Sequence, residues 1–230
     1  MNTDSSSNNV FSLHEMGNHI VQVCHNQTSQ AEILAQYVKE GLANGEGVVI
    51  IARPALRKAF ISQMNALDLD LHTLKSQGQI KFFDAEFLLS SLLIDGKLDN
   101  QAFQQLVATP ALDTQLKFGK VRAFGEMVDV LWKNAQPDLA IELEGLWNGL
   151  CNKHEIMLLC TYLLDSLDPN TYDNSLERIC KCHTHSFPIS AFNPIVGGAM
   201  LELFGTTWNN VVNRIKESRN ISNPLPEALI

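Results

Sequence analysis

A carboxylate, Glu126, stands directly after the short apolar run Val121 to Phe124 and a single glycine. An acidic side chain at a strand's carboxyl end is where open α/β sheets place their ligands. Paired with His25 or His183, Glu126 could act as a general acid and base, since a carboxyl and an imidazole together span neutral pH. Glu144 and Tyr162 add further polar groups to the same region. Two carboxylates in one cleft repel, so the expected arrangement brings Glu126 and Glu144 together with Arg122 and His25 as basic partners. The candidate ligand-binding set is therefore His25, Arg122, Glu126, Glu144 and Tyr162.

Near the other end, Cys180-Lys181-Cys182-His183-Thr184-His185 packs two thiols and two imidazoles into six residues. Structural zinc sites separate paired ligands by two or more residues and gather pairs from distant segments, so this run is a poor metal motif. The expectation is no metal, with His183 and His185 hydrogen-bonding across a sheet end. No nucleophile elbow, dinucleotide fingerprint or other cofactor motif accompanies these residues, so no cofactor is expected either.

These groups need a scaffold, and the chain supplies one in alternating strands and helices. His19 to Cys24 reads as the first strand. Ser29-Gln30-Ala31-Glu32 is a capping-box pattern that starts a helix at about Gln30, and Asn44-Gly45 ends it. Glu46 to Ala52 is the second strand, and Pro54 opens a helix reaching about Leu67. A short helix follows at Leu71 to Ser76, then a strand at Gln79 to Phe83. Ala85 to Ile94 and Gln101 to Val107 read as helical segments parted by Asp95-Gly96, and Phe118 to Phe124 returns to the sheet.

Glu126, Asp129 and Lys133 then fall on a polar helical stripe that should face a cleft or water. Pro137 and Asp138 open the next helix. Its apolar face is Leu139, Leu143, Leu146, Trp147 and Leu150, with Glu142, Glu144, Asn148 and Asn152 opposite. Ile156 to Tyr162 is the continuous apolar run of a strand covered on both faces. Repeated βα units with short joints give an α/β fold, a mostly parallel central sheet flanked by helices on both faces.

The motifs FGEMVDVLW, LELEGLWNGL and LLCTY, in that order, resemble the MEDS family, the sensory domains first named from methanogens and methylotrophs. His19-Ile20-Val21-Gln22, Gly41-Leu42 with Gly45-Glu46, and Ile179-Cys180 with His183 and His185 extend the resemblance over roughly Gly17 to Pro188. It implies a RecA-like, KaiC-like fold and a sensing role beside histidine kinases or transcriptional regulators, without catalysis. A RecA-like ATPase needs glycines and a lysine in the loop after its first strand. Here that loop is His25-Asn26-Gln27-Thr28-Ser29-Gln30, with neither, which argues against ATP hydrolysis.

The chain of 230 residues is long enough to bury a core without metal or disulfide staples. Its formal charge of −8 and the lack of a basic cluster argue against a nucleic-acid surface. The apolar runs fall far short of the roughly 20 residues a membrane helix requires. Five cysteines in no framework spacing suit reduced thiols, so a cytoplasmic setting is expected.

Residues 1–16 are polar and read as a disordered tail, 17–190 as the sensory domain, and 191–230 as a C-terminal helical extension. In that extension Leu201, Phe204, Trp208, Val211 and Ile215 recur at spacings of three and four. Such a seam serves either a partner or the domain's own core. Three functions follow: a non-enzymatic regulatory module that binds a small molecule or protein and acts through a histidine kinase or regulator, an enzyme using Glu126 with His25 or His183, or a purely structural interaction protein. A homodimer is compatible with any of them.

Overall fold

The computed structural model describes residues 19–24, 26–154, 156–163, 172–183, 185–186, 210–215 and 217. Along the chain run β1 (His19–Cys24), α1 (Gln27–Ala43), β2 (Gly47–Ala52), α2 (Pro54–Ala66), α3 (Leu71–Ser76), β3 (Ile80–Asp84) and α4 (Ala85–Leu92). A two-residue hairpin, β4 (Leu93–Ile94) and β5 (Lys97–Leu98), leads into α5 (Asn100–Phe103), a π-turn at Gln104–Ala108 and α6 (Thr109–Phe118). Then come β6 (Val121–Gly125), α7 (Met127–Lys133), α8 (Pro137–His154), β7 (Met157–Leu163), α9 (Tyr172–Cys182) and β8 (His185–Ser186). A further helical stretch occupies 210–215.

Six strands form one sheet in the order β3-β2-β6-β7-β1-β8, and every pairing in it is parallel. Parallel neighbours require crossover helices, and these cover both faces. The strands are apolar on both sides for this reason: all of β1, β2 and β6 is buried. On one face Leu34, Tyr37 and Val38 of α1 and Leu56, Phe60 and Met64 of α2 pack on Ile50, Phe124 and Leu159. On the other, α4 through α9 cover Val49, Ala123, Leu158 and Cys160.

The strand order sets a candidate site by topology. From β2 the chain leaves toward β3 through α2, whereas from neighbouring β6 it leaves toward β7 through α7 on the opposite face. Adjacent strands that feed opposite directions open a crevice at their carboxyl ends. Arg53 follows β2 and Glu126 follows β6 at that crevice.

Three local readings are corrected. The strand expected from Phe118 begins at Val121, because Phe118 closes helix α6. Helix α1 starts at Gln27, not near Gln30, because Asn26 is its N-cap: the Asn26 side chain accepts from the Ser29 backbone N–H, and the Ser29 hydroxyl accepts from the Asn26 N–H. Ser29 is thus the inner member of the capping box, not its opening residue. The helix expected to reach Ile94 stops at Leu92, where the Asp95-Gly96 turn folds Leu93 and Ile94 back on Leu98 and Lys97.

At the C-terminal end, Val211 and Val212 are buried in the main core and Ile215 packs against it. For these residues the seam covers the domain itself. Leu201, Phe204 and Trp208, the 1–16 tail and His25 lie outside the described residues.

Candidate functional sites at the strand ends and beneath helix α8

At the β2/β6 crevice the Glu126 carboxylate is fully buried and saturated by one residue. Arg53 donates its backbone N–H to Oε2 at 2.6 Å, and its Nε and Nη2 to Oε1 at 2.8 and 2.6 Å. Both guanidinium prongs close on the one oxygen Oε1, a charge-assisted contact in which the backbone N–H takes the other oxygen. Because Arg53 is the N-cap of α2, the backbone bond also ties that helix start to β6. Asp129, one turn into α7 and fully buried, takes the same Nη2 at 3.0 Å through Oδ2. Its Oδ1 accepts from the Leu163 N–H at the end of β7, 2.9 Å away. Lys133 reaches Asp129 at 3.7 Å. Burial opposes a charged Arg53, but Glu126 and Asp129 outweigh it and hold the guanidinium above its ordinary range.

The stripe of Glu126, Asp129 and Lys133 therefore faces neither open cleft nor water at its two acidic positions. They are internal anchors. The cleft lies beside them, about 420 Å³ in volume, between α4 and α7. Arg53, Glu86, Ser90, Lys133, Asn134 and Gln136 supply its polar lining, and Leu89, Leu93 and Val130 its apolar wall.

Arg122 is not among these residues. It sits at the amino end of β6 and on the α1 face, where Nε bonds Glu46 at 2.6 Å and Nη1 bonds Glu40 and the Tyr37 carbonyl at 3.0 and 3.1 Å. The basic partner expected from Arg122 is supplied by Arg53, whose place after the second strand carried no sequence signal. Nor do Glu126 and Glu144 share a partner: each has its own set of bonds.

Glu144 anchors a second, enclosed group under α8. The spacing of its neighbours assigned it to the polar face, yet it is fully buried between α8 and the sheet. Its Oε1 accepts from the Tyr162 hydroxyl at 2.6 Å and lies 3.3 Å from His183 Nε2, while Oε2 lies 3.1 Å from His19 Nε2 and 3.4 Å from Cys160 Sγ. The His19 and His183 rings are 4.2 Å apart, centre to centre. His19, Glu144, Cys160 and His183 each offer a metal-capable atom, and these atoms all lie within 4.8 Å of one another. The four residues come from β1, α8, β7 and the end of α9, so no local spacing reveals them. His183 bonds the Ile179 carbonyl in the helix before it and faces Glu144, and among the described residues of the Cys180–His185 run it joins this cluster, the His185 side chain lying outside them.

Burial works against a charged Glu144, but the His183 and His19 imidazoles outweigh it and hold the carboxyl below the usual carboxylate range. His19 moves the opposite way to what a cation there needs: burial and the adjacent His183 pull it below the ordinary histidine value against the contact with Glu144. His19 thus serves Glu144 as a neutral N–H donor near neutral pH. Burial and then the Glu144 charge push the Cys160 thiol and the Tyr162 phenol well up, so both keep their protons.

The family model described as the methanogen/methylotroph DcmR sensory domain, MEDS, matches residues 18–184. The chain belongs to the MEDS family. No individual curated protein matches it. The MEDS match takes in both groups in full, Arg53 with Glu126 and Asp129, and His19 with Glu144, Cys160 and His183 up to residue 183. It ends before the helical stretch at 210–215, whose valines nonetheless complete the MEDS core. No described helix is long and apolar enough to cross a membrane.

Proposed function

We propose that this MEDS domain senses a small amphiphilic molecule in the cleft between α4 and α7 and passes its state to a separate signalling protein, a histidine kinase or a transcriptional regulator. The observation that carries the reading is the position of the cleft. It opens at the β2/β6 switch point, and one of its walls is Arg53, the residue that holds Glu126 and Asp129. An apolar wall of Leu89, Leu93 and Val130 suits a hydrocarbon body, and Arg53 with Lys133 suits an acceptor group at its head. A head group there competes with Asp129 for Arg53 and Lys133. Asp129 also fixes the end of β7, so occupancy is relayed to the strand that leads to α9.

Catalysis by Glu126 with His183 is not favoured by this geometry. Glu126 spends both oxygens on Arg53, and His183 faces Glu144 instead. A general base needs hydrogen-bond reach to a substrate proton.

The test is thermal denaturation with medium-chain carboxylates and alcohols as probes. They should raise the Tm of the native protein by several degrees, as mass action requires near a hundredfold excess over Kd. Ser90→Trp, which fills the cleft from an exposed position, should abolish the shift while leaving the unliganded Tm within about 2 °C. An equal shift in that variant, or none in the native protein, removes the reading.

A further inference from the structure

We infer that His19, Glu144, Cys160 and His183 form a binding site for one divalent transition-metal ion of the zinc type, enclosed between the sheet, α8 and α9. The inference stands on this cluster alone and does not depend on the cleft.

The first argument is spacing. A tetrahedral ion bound at 2.0–2.3 Å by nitrogen, oxygen and sulfur sets its donor atoms about 3.3–3.7 Å apart. The contacts here are 3.1 Å from His19 Nε2 to Glu144, 3.3 Å from His183 Nε2 to Glu144, 3.4 Å from Cys160 Sγ to Glu144 and 3.5 Å from Cys160 Sγ to His19 Nε2. Four side chains of three types, from four elements, therefore hold their donor atoms near coordination spacing, all within 4.8 Å of one another, with His19 and Cys160 meeting Glu144 Oε2 and His183 meeting Oε1.

The second argument is the tautomer of His183. Its Nδ1 lies 2.7 Å from the Ile179 carbonyl oxygen, which only accepts, so Nδ1 carries a proton. Nε2, the other ring nitrogen, lies 3.3 Å from Glu144 Oε1 on the cluster side. With Nδ1 held by the carbonyl, Nε2 is the nitrogen placed to turn its lone pair to an ion shared with Glu144. A ligating histidine that donates its other N–H to a backbone carbonyl is the usual outer support of a metal site, and the Tyr162 hydroxyl gives Glu144 the same support.

The third argument is charge. Binding converts the Cys160 thiol to a thiolate, whose proton leaves to solvent, and moves the His19 proton from Nε2, where it meets Glu144, to Nδ1. The dication then meets two anions, Glu144 and Cys160, with two neutral imidazoles, so the enclosed site is neutral in sum. A buried, balanced set avoids the cost of an uncompensated internal charge. Softness fits as well, because imidazole with one thiolate and one carboxylate suits zinc over calcium or magnesium.

The experiment uses the full chain, stripped of metal by chelator and refolded with Co2+ as the spectroscopic probe. One equivalent should bind, giving visible d–d bands of a four-coordinate ion and a near-ultraviolet thiolate-to-cobalt band, both displaced by Zn2+. Cys160→Ser should lose the thiolate band and weaken binding at least tenfold while its metal-free Tm stays close to native. Cys182→Ser, a thiol outside the cluster, should change neither. Absence of binding at micromolar Co2+ and Zn2+ by the refolded native chain overturns the proposal. So does a thiolate band that survives in Cys160→Ser and vanishes in Cys182→Ser.

Discussion

A buried charged or polar side chain is stable only where the fold supplies its partner, and periodicity is blind to that partner. Glu144 shows why. Leu143, Trp147 and Leu150 define the buried arc of α8, and Glu144 lies inside that arc, but its residue type marks it for solvent unless Tyr162, His19 and His183 are known to wait there. Glu126 was legible because it follows a strand directly; Arg53, its partner, was not, since an arginine before a helix-opening proline has no distinguishing pattern. The same burial governs the thiols. Burial and then Asp129 push the Cys24 thiol far above its ordinary value, burial and then Glu144 push Cys151 up to about 12, and burial raises the Tyr37 phenol against the pull of Arg122. All three have folded values above their unfolded ones, so their contribution to stability is complete below the unfolded value, about pH 8.5 for the thiols and about 10 for the phenol, and is lost as pH rises beyond it, where the unfolded chain releases protons that the folded chain keeps. Each thiol then costs up to about 1.4 kcal/mol per pH unit. Urea midpoints at pH 7.5, 9 and 10 should fall in that order, and a midpoint unchanged at pH 10 would show that these groups ionise without unfolding.

At the scale of elements, apolar runs and their spacing identified β1, β2, β3 and β7 to within a residue, and β6 with its start three residues early, because strands buried on both faces are nearly continuous apolar segments. The β4–β5 hairpin escaped, since two-residue strands have no period to detect and Asp95-Gly96 reads equally as a break between helices. The left-handed backbone at Asp95 and Gly96, φ 51° and 74°, is what makes that break a tight reversal. Packing between elements also reverses a familiar rule. Replacing a glycine inside a helix by alanine ordinarily stabilises by about 1 kcal/mol. Gly145 and Gly149 of α8 have open space where a methyl would go, and Gly145→Ala and Gly149→Ala should follow the rule. Gly41 of α1 lets the Arg122 side chain cross the helix: an added Cβ would lie 2.7 Å from its Cδ and 2.9 Å from its Nε, the atom bonded to Glu46. Arg122 must move and surrender those bonds, so Gly41→Ala should destabilise by about 2–3 kcal/mol. Chemical denaturation of the three variants side by side reads the opposite signs, and a neutral Gly41→Ala would mean that Arg122 is not held where this packing puts it.

Across the whole molecule, the parallel α/β architecture followed from alternation of strands and helices, whereas the order β3-β2-β6-β7-β1-β8 did not, because nothing local says which strands become neighbours. That order is what sets Arg53 against Glu126 and gathers His19, Glu144, Cys160 and His183 from positions up to 164 residues apart, so the site chemistry is a property of the complete sheet. The C-terminal end tests how far the domain extends. Its seam residues Val211 and Ile215, together with Val212, belong to or pack on the same core that holds Ile179 and Cys180 of α9, although the family match stops at residue 184. Fully burying a valine contributes about 1.5–3 kcal/mol. A chain ending at residue 209 should therefore lose about 3 kcal/mol or more, a large part of the stability of an ordinary domain, and expose the α9 face it leaves behind. Val212→Asp in the full chain should reproduce the loss without shortening anything, because an unpaired carboxylate cannot remain at a buried position. Urea denaturation with light scattering on both proteins distinguishes the two roles of this segment. If truncation leaves the unfolding midpoint intact and changes only the assembly state, 210–215 is an interface to a partner; if both variants unfold earlier, it is the last piece of the domain's own core.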